Sequence, residues 1–295
     1  MNNSYENSFL SKSIFNTQNI VLANIGWAVL ALLYFLLFSA KVPGADGIRR
    51  AEWYVIGTNI FEALAYLSAS VLCLRNWLSP QIVSGRNVWL LIGLGMLSYS
   101  VGGIIFGYTE IVLKDKPDVS VGDIFFVLTY LLLGAGMILA VASRRINLEK
   151  WQWLIVLAIA VFGSLLAWWI SMQQKTSTQQ EISTQQEIFM QQLATILNWF
   201  YVVSDVVLLI IATTLLLAFW GGRVSQSWRM IAAAAFSLYI ADMWFKYADG
   251  LTNYQSGEIL EVFWVFSGVL FGMGAALEYD ASLRRTRRTS TRKRA

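Results

Sequence analysis

The chain contains no histidine, a single cysteine and only three prolines among its 295 residues. Without imidazole it lacks the usual ligand for haem, zinc or copper and the commonest general base, so ordinary metal or acid/base enzymology is not expected. Cys73 stands alone in an apolar run, where a free cysteine acts as a small buried hydrophobe, and there is no disulfide framework. Charge is scarce too. Only 14% of residues are charged against 57% hydrophobic, a balance that would leave large apolar patches on a water-soluble domain. No Gly-rich phosphate loop, His-containing triad or metal-ligand spacing occurs, so no catalytic residues, no metal and no nucleic-acid partner are expected.

What the chain does have is apolar sequence in long runs. A bilayer core is crossed by about 20 helical residues at 1.5 Å each, and such stretches fall at 20-40, 53-74, 88-110, 121-143, 151-171, 194-220, 228-249 and 257-277. The expected fold is an all-α integral membrane protein, a bundle of about eight transmembrane helices. It divides into an N-terminal segment 1-19, a membrane domain 20-277 and a basic tail 278-295. Residues 1-19 lead into the first span without a small-residue cleavage site, which reads as a retained helix. The second span, with Glu62, and the seventh, with Asp242 and Lys246, are the most polar, so seven is the alternative count.

Basic residues mark the cytoplasmic side. With both termini inside, 15 of the 22 Lys and Arg residues are cytoplasmic, seven of them in the tail from Arg284 to Arg294. The expected location is the cell membrane, multi-pass, with the tail against anionic lipid headgroups at roughly 1 kcal/mol per basic residue. A polar hexad written twice, Ser177 to Ile182 and Ser183 to Ile188, reads as an outer spacer.

The sequence also resembles itself. Asp123-Ile-Phe-Phe126 followed by Gly134-Ala-Gly136 in the fourth span parallels Glu261-Val-Phe-Trp264 followed by Gly272-Met-Gly274 in the eighth. The third span, with Leu97-Ser98 and Phe106-Gly-Tyr108, parallels the seventh, with Phe236-Ser237 and Phe245-Lys-Tyr247. Glu62 and Asp205 take corresponding places in the second and sixth. The chain thus reads as two parallel four-helix halves, about 20-143 and 151-277, with an acid on every even-numbered span.

A carboxylate in hydrocarbon costs about 2.5 to 3.5 kcal/mol on insertion scales, so each of these acids should face the bundle interior. Asp123, Asp242, Lys246 and Glu261 are expected to share an outer cavity with Tyr108, Tyr130 and Trp264, Lys246 acting as the counter-charge. Glu62 and Asp205 are expected deeper. Interhelical hydrogen bonding that only fixes packing is the competing explanation. Trp53, Trp77, Trp89, Trp151, Trp153, Trp220 and Trp228, near span ends, suit interfacial belts. Asp242 and Lys246 have the spacing of the last helix of microbial rhodopsins, but four residues apart merely puts both on one helix face. No cofactor is therefore expected beyond an unidentified lipid or pigment.

The run Pro117-Asp-Val-Ser120-Val-Gly-Asp123-Ile-Phe-Phe126-Val-Leu-Thr-Tyr130, with Tyr201-Val-Val-Ser-Asp205, Ala241-Asp242 and Glu261-Val-Phe-Trp264, resembles the multispan input modules found ahead of bacterial GGDEF and EAL signalling domains. The likeness covers about 90 to 278. Departures are Leu131 and Val202 where that family tends to have proline, and Glu261 where it usually has aspartate. No GGDEF sequence occurs, and the one Glu-Ala-Leu tripeptide, Glu62-Ala-Leu64, lies inside the second expected span and not in an output domain. The resemblance implies a membrane sensor or ligand-binding module of the bacterial inner membrane, acting in signal transduction through a protein partner. A secondary transporter using its midplane carboxylates, or an accessory subunit of a larger membrane complex, are the alternatives.

Overall fold

The computed structural model describes residues 16–44, 47–114, 119–142, 148–174, 185–218, 225–251 and 254–292. Among them are eight long helices: α1 (Thr17–Phe38), α2 (Glu52–Leu78), α3 (Arg86–Ile111), α4 (Val121–Ala142), α5 (Lys150–Gln174), α6 (Gln185–Ala218), α7 (Ser225–Asp249) and α8 (Val262–Arg292). A 3₁₀ turn, Ile259–Glu261, leads into α8. The protein is an all-α membrane bundle. All the helices except α7 combine the length and mean hydropathy needed to cross a bilayer.

The exception has a physical reason. The 25 residues of α7 make about 38 Å of helix, long enough to span. Its run of four alanines and its Asp242 and Lys246 lower its hydropathy, and it can carry them because it sits inside the bundle. Trp228, Ile231, Ala234, Leu238, Ala241 and Ala248 are all buried. Small residues let α6 and α8 approach it closely. By contrast α1, packed on α2 and α8, and α5, packed on α6 and α7, lie at the edge. They turn Leu22, Leu30 and Leu37, and Leu154, Phe162 and Trp168, outwards, as lipid-facing helices do.

Between α1 and α2 the chain makes an antiparallel ribbon that the sequence pattern did not announce, β1 (Lys41–Gly44) with β2 (Gly47–Arg50). Arg50 ties it down. Its Nε donates to Ser39 O (3.1 Å), its backbone N–H to Gln255 Oε1 (2.9 Å) and one terminal nitrogen to Gln255 O (2.5 Å), and it pairs with Glu258 at 3.4 Å. This is the hairpin end of the bundle. At the opposite, tail end, the buried Glu278 of α8 accepts the Ser84 backbone N–H (3.0 Å) and the Ser84 hydroxyl, while Ser282 accepts the Val83 N–H (3.3 Å). One helix face thus holds the α2–α3 connection.

Two contacts repeat along the chain. Gly136 of α4 lies against Val88 O and Ile92 of α3, where an added Cβ would meet them at 3.3 and 3.1 Å. Gly274 of α8 lies against Ser227 O and Ile231 of α7, at 3.1 and 2.7 Å. Between these sites the rings of Trp89 and Trp228 meet 6.2 Å apart, both fully buried. They are core residues and not belt residues, because α3 and α7 bring their first turns together. Trp53, Trp151 and Trp153 are exposed near helix ends, in keeping with a belt, and Trp77 is partly buried.

Helix α8 continues without a break from the last span into the expected basic tail, as far as Arg292. The side chains beyond Arg285, most of the twice-written hexad, Trp220, Asp115 and Asp118 lie outside the described residues. Helix α6 begins at Gln185, inside the second hexad. Cys73 is free and buried.

Candidate functional site

Three helices meet at the Tyr130 hydroxyl, and a fourth joins them through Asp242. That hydroxyl, on α4, lies 2.6 Å from Asp205 Oδ1 on α6 and 2.6 Å from Asp242 Oδ2 on α7. Asp242 Oδ1 accepts the indole N–H of Trp264 on α8 at 2.8 Å. A phenol owns one proton, so it donates to only one of the two oxygens that touch it. The other contact requires a proton on the carboxyl. Asp242 collects donors on both oxygens, whereas Asp205 Oδ2 is buried without a partner. The directions that leave no anionic oxygen without a donor are therefore Asp205 O–H to Tyr130, Tyr130 O–H to Asp242, and Trp264 N–H to Asp242. Asp242 is then the anion and Asp205 the acid.

Lys246, one turn beyond Asp242, donates to the backbone and side-chain oxygens of Asn198, both at 3.1 Å, and lies over the Tyr201 ring at 5.6 Å. It is buried and within electrostatic reach of both aspartates. The expected counter-charge is thus present, but Asn198 fixes its position.

The other members of the expected outer cluster are occupied elsewhere. Asp123 Oδ2 accepts the Ser120 N–H (2.7 Å) and hydroxyl (3.2 Å), the acid-to-backbone half of a capping box at the start of α4. Its Oδ1 accepts the Tyr201 hydroxyl at 2.7 Å. Glu261 takes the Tyr254 hydroxyl and the Gly257 N–H, both at 2.7 Å, and so folds the α7–α8 connection over the helix ends. Gly257 has φ +92°, a turn conformation that favours glycine. Burial, and then the Glu261 carboxylate it faces, push the Tyr254 phenol well above its ordinary range, so it remains a donor. Tyr108 is 56% exposed and turns away from the core. Of the residues expected in one outer cavity, the structure brings Asp242, Lys246, Tyr130 and Trp264 near one another, while Asp123 sits at a helix cap, Glu261 in a loop clasp and Tyr108 on an outward face.

Glu62 lies on α2, facing Tyr99 of α3 and within Coulombic reach of Asp242 and Glu261. Beside it the Tyr66 and Tyr99 rings stack with centroids 3.8 Å apart, and Tyr99 meets Phe126 edge-on at 5.2 Å. The Tyr66 hydroxyl lies beside Ser267 Oγ and Tyr99, and Tyr66 and Ser267 are both fully buried. Above them Glu62, Gly103, Phe106, Asp242, Phe245 and Trp264 are each partly accessible although they lie on inward faces. A Cβ placed on Gly103 would meet nothing nearer than Glu62 Oε1, at 4.0 Å. Among the described residues no group of three acidic or cysteine side chains is placed to hold a metal ion.

Compared with known proteins, the chain matches no family model, no curated protein and no solved structure. Its function is therefore argued from the site alone.

Proposed function

We propose that the protein is a membrane-embedded ligand-binding sensor or regulator of the bacterial inner membrane, with both termini cytoplasmic, that acts through a protein partner. The observation that carries this reading is the buried polar cluster: Asp205 and Asp242 held by Tyr130 and Trp264, with one helix, α8, running from it to the opposite end of the bundle. Trp264 at one end of α8 holds Asp242, and Glu278 and Ser282 at the other hold the α2–α3 connection. A shift of α8 at the site has a direct route to the cytoplasmic surface, where the basic end of α8 would meet lipid headgroups and the partner. The resemblance to input modules of GGDEF and EAL proteins agrees with this direction of signalling.

A duplicated origin supports the same reading. The spacing that separates Trp89 from Trp228 and Ile92 from Ile231 also separates Gly103 from Asp242. The residues facing Glu62 and Asp205 are thus equivalent places in two halves. Ligand sites of duplicated membrane folds lie at the interface between such halves.

The test is coupling between the two ends. Hydrogen exchange of the 79–85 connection, followed in lipid nanodiscs, should accelerate in Trp264→Phe, which removes only the donor to Asp242. Unchanged exchange there would remove the signalling route.

One observation favours a second reading, a proton-coupled secondary transporter: the proton that Asp205 and Asp242 share through Tyr130. Substrate uptake into proteoliposomes that collapses with a proton ionophore would support it, and no flux for any candidate substrate would weigh against it.

A further inference from the structure

We propose that the tail end of the bundle binds a phosphate group, free or borne on a lipid headgroup, at the junction of α1, α2 and α8, a site apart from the carboxylate cluster and independent of the signalling reading above. The argument begins with one cation. Arg75, in the last turn of α2, has its Cζ 4.1 Å from the centroid of the Tyr279 ring on α8. Two of its nitrogens, Nε and Nη2, are buried and have no hydrogen-bond partner. These two atoms form one edge of the guanidinium, the fork that gives parallel N–H bonds to a carboxylate or a phosphate. Among the described residues no carboxylate answers it: Glu278 accepts from Ser84, and Asp280 lies 2.7 Å from Arg284. A charged donor pair left without an acceptor is costly, and an oxyanion is the acceptor that fits it.

The packing of the three helices places that fork. An added Cβ on Gly272 of α8 would meet Asn24 Oδ1 of α1 at 3.1 Å and Leu72 of α2 at 3.4 Å, so these residues share one depth. Helices α1 and α8 run in opposite directions. Thr17 and Tyr279 each lie seven residues from that depth towards the tail end, about 10 Å along either axis. Seven residues are two turns, which returns each to the face that meets the other helices. On α2 the stripe facing α1 runs through Gly57, against the Tyr34 ring, and Phe61, whose carbonyl accepts the Trp27 indole N–H at 3.1 Å. Leu72 and Arg75 continue that stripe, so Arg75 stands on the α1 side of α2, at the end where α1 begins. The first turn of α1 has no acid of its own, and its N-cap, Asn16, makes no capping bond. A helix N-terminus favours an anion, and here it adds to a guanidinium held in place by an aromatic ring. Arg75 stays partly accessible, so the fork lies at the rim of the span, at the depth of lipid phosphates. An arginine that only snorkels keeps a mobile side chain; this one is stacked on Tyr279.

The experiment uses the full chain in maltoside micelles and three probes: dioleoylphosphatidylglycerol, dioleoylglycerol, which lacks the phosphate, and inorganic phosphate at constant ionic strength. Phosphatidylglycerol should raise Tm saturably, and dioleoylglycerol should not. Inorganic phosphate distinguishes the source: stabilisation by the lipid alone identifies the headgroup, whereas stabilisation by inorganic phosphate identifies a soluble ligand. Arg75→Gln should keep its fold without any probe, because the fork has no protein partner to lose, and should weaken phosphate binding by roughly tenfold or more. Arg75→Lys keeps the charge without the fork and should also lose most of the response. Thr17→Glu sets a tethered carboxylate in the first turn of α1, and should raise Tm in the absence of lipid while removing the response to phosphatidylglycerol. Equal stabilisation by dioleoylglycerol, no saturable response to either phosphate probe, or a wild-type response in Arg75→Gln, Arg75→Lys or Thr17→Glu overturns the proposal.

Discussion

On the duplicated plan proposed above, Glu62 and Asp205 hold corresponding places on α2 and α6, yet their surroundings differ in kind. Asp205 faces a second carboxylate, Asp242, and the Tyr130 hydroxyl bridges the two. Glu62 faces Gly103, which stands where that plan sets Asp242 in the other half, and Gly268, in the place of Tyr130, packs directly on Ala65 and Tyr66 with would-be Cβ contacts of 3.0 Å. The space is taken by Tyr66 and Tyr99, in the places of Leu209 and Leu238. Around Asp205 the chain builds a closed, proton-bridged hydrogen-bond network, whereas around Glu62 it sets an acid beside stacked rings.

Substitutions can break this contrast. The largest effect should follow from Tyr130→Phe, which leaves Asp205 and Asp242 without their bridging donor and should cost about 3 kcal/mol, read from unfolding of the purified protein in mixed micelles. Gly136→Leu and Gly274→Leu test whether the halves share packing: each drives a side chain into a backbone carbonyl and an isoleucine, and the two should destabilise about equally, by about 2 kcal/mol. Asp242→Asn and Asp205→Asn test the direction of the network. Asparagine at 205 can still donate to Tyr130, whereas at 242 its amide group replaces an acceptor that receives two donors, so the second should exceed the first by about 1 kcal/mol. Gly103→Asp sharpens the contrast from the other side. It rebuilds an acid pair opposite Glu62 with no tyrosine to bridge it, and should cost about 1 kcal/mol more than Gly103→Asn.

The architecture was legible because apolar run length is a direct consequence of the bilayer. The exception, α7, read as weak for a sound reason: a helix enclosed by its neighbours need not be apolar. The ribbon Lys41–Arg50 left no signature, since its strands have four residues each and are held by Arg50 from a distance. The acids were found but not their roles. Ser120-Val-Gly-Asp123 carries the spacing of a capping box, a sign that Asp123 belongs to its own helix end. The bridge at Tyr130 joins residues far apart in the chain, and only the packing of α4 between α3 and α6 creates it. Gly103 was the residue most easily overlooked, because its meaning lies in standing where the other half has Asp242.

The proton between Asp205 and Asp242 can be observed directly by infrared spectroscopy, through the carbonyl stretch of a protonated carboxylic acid. The network described here requires such a band in the wild-type protein at neutral pH, lost in Asp205→Asn and retained in Asp242→Asn. Loss of the band in Asp242→Asn alone, or its persistence unchanged in both variants, would contradict the assignment of Asp205 as the acid and Asp242 as the anion.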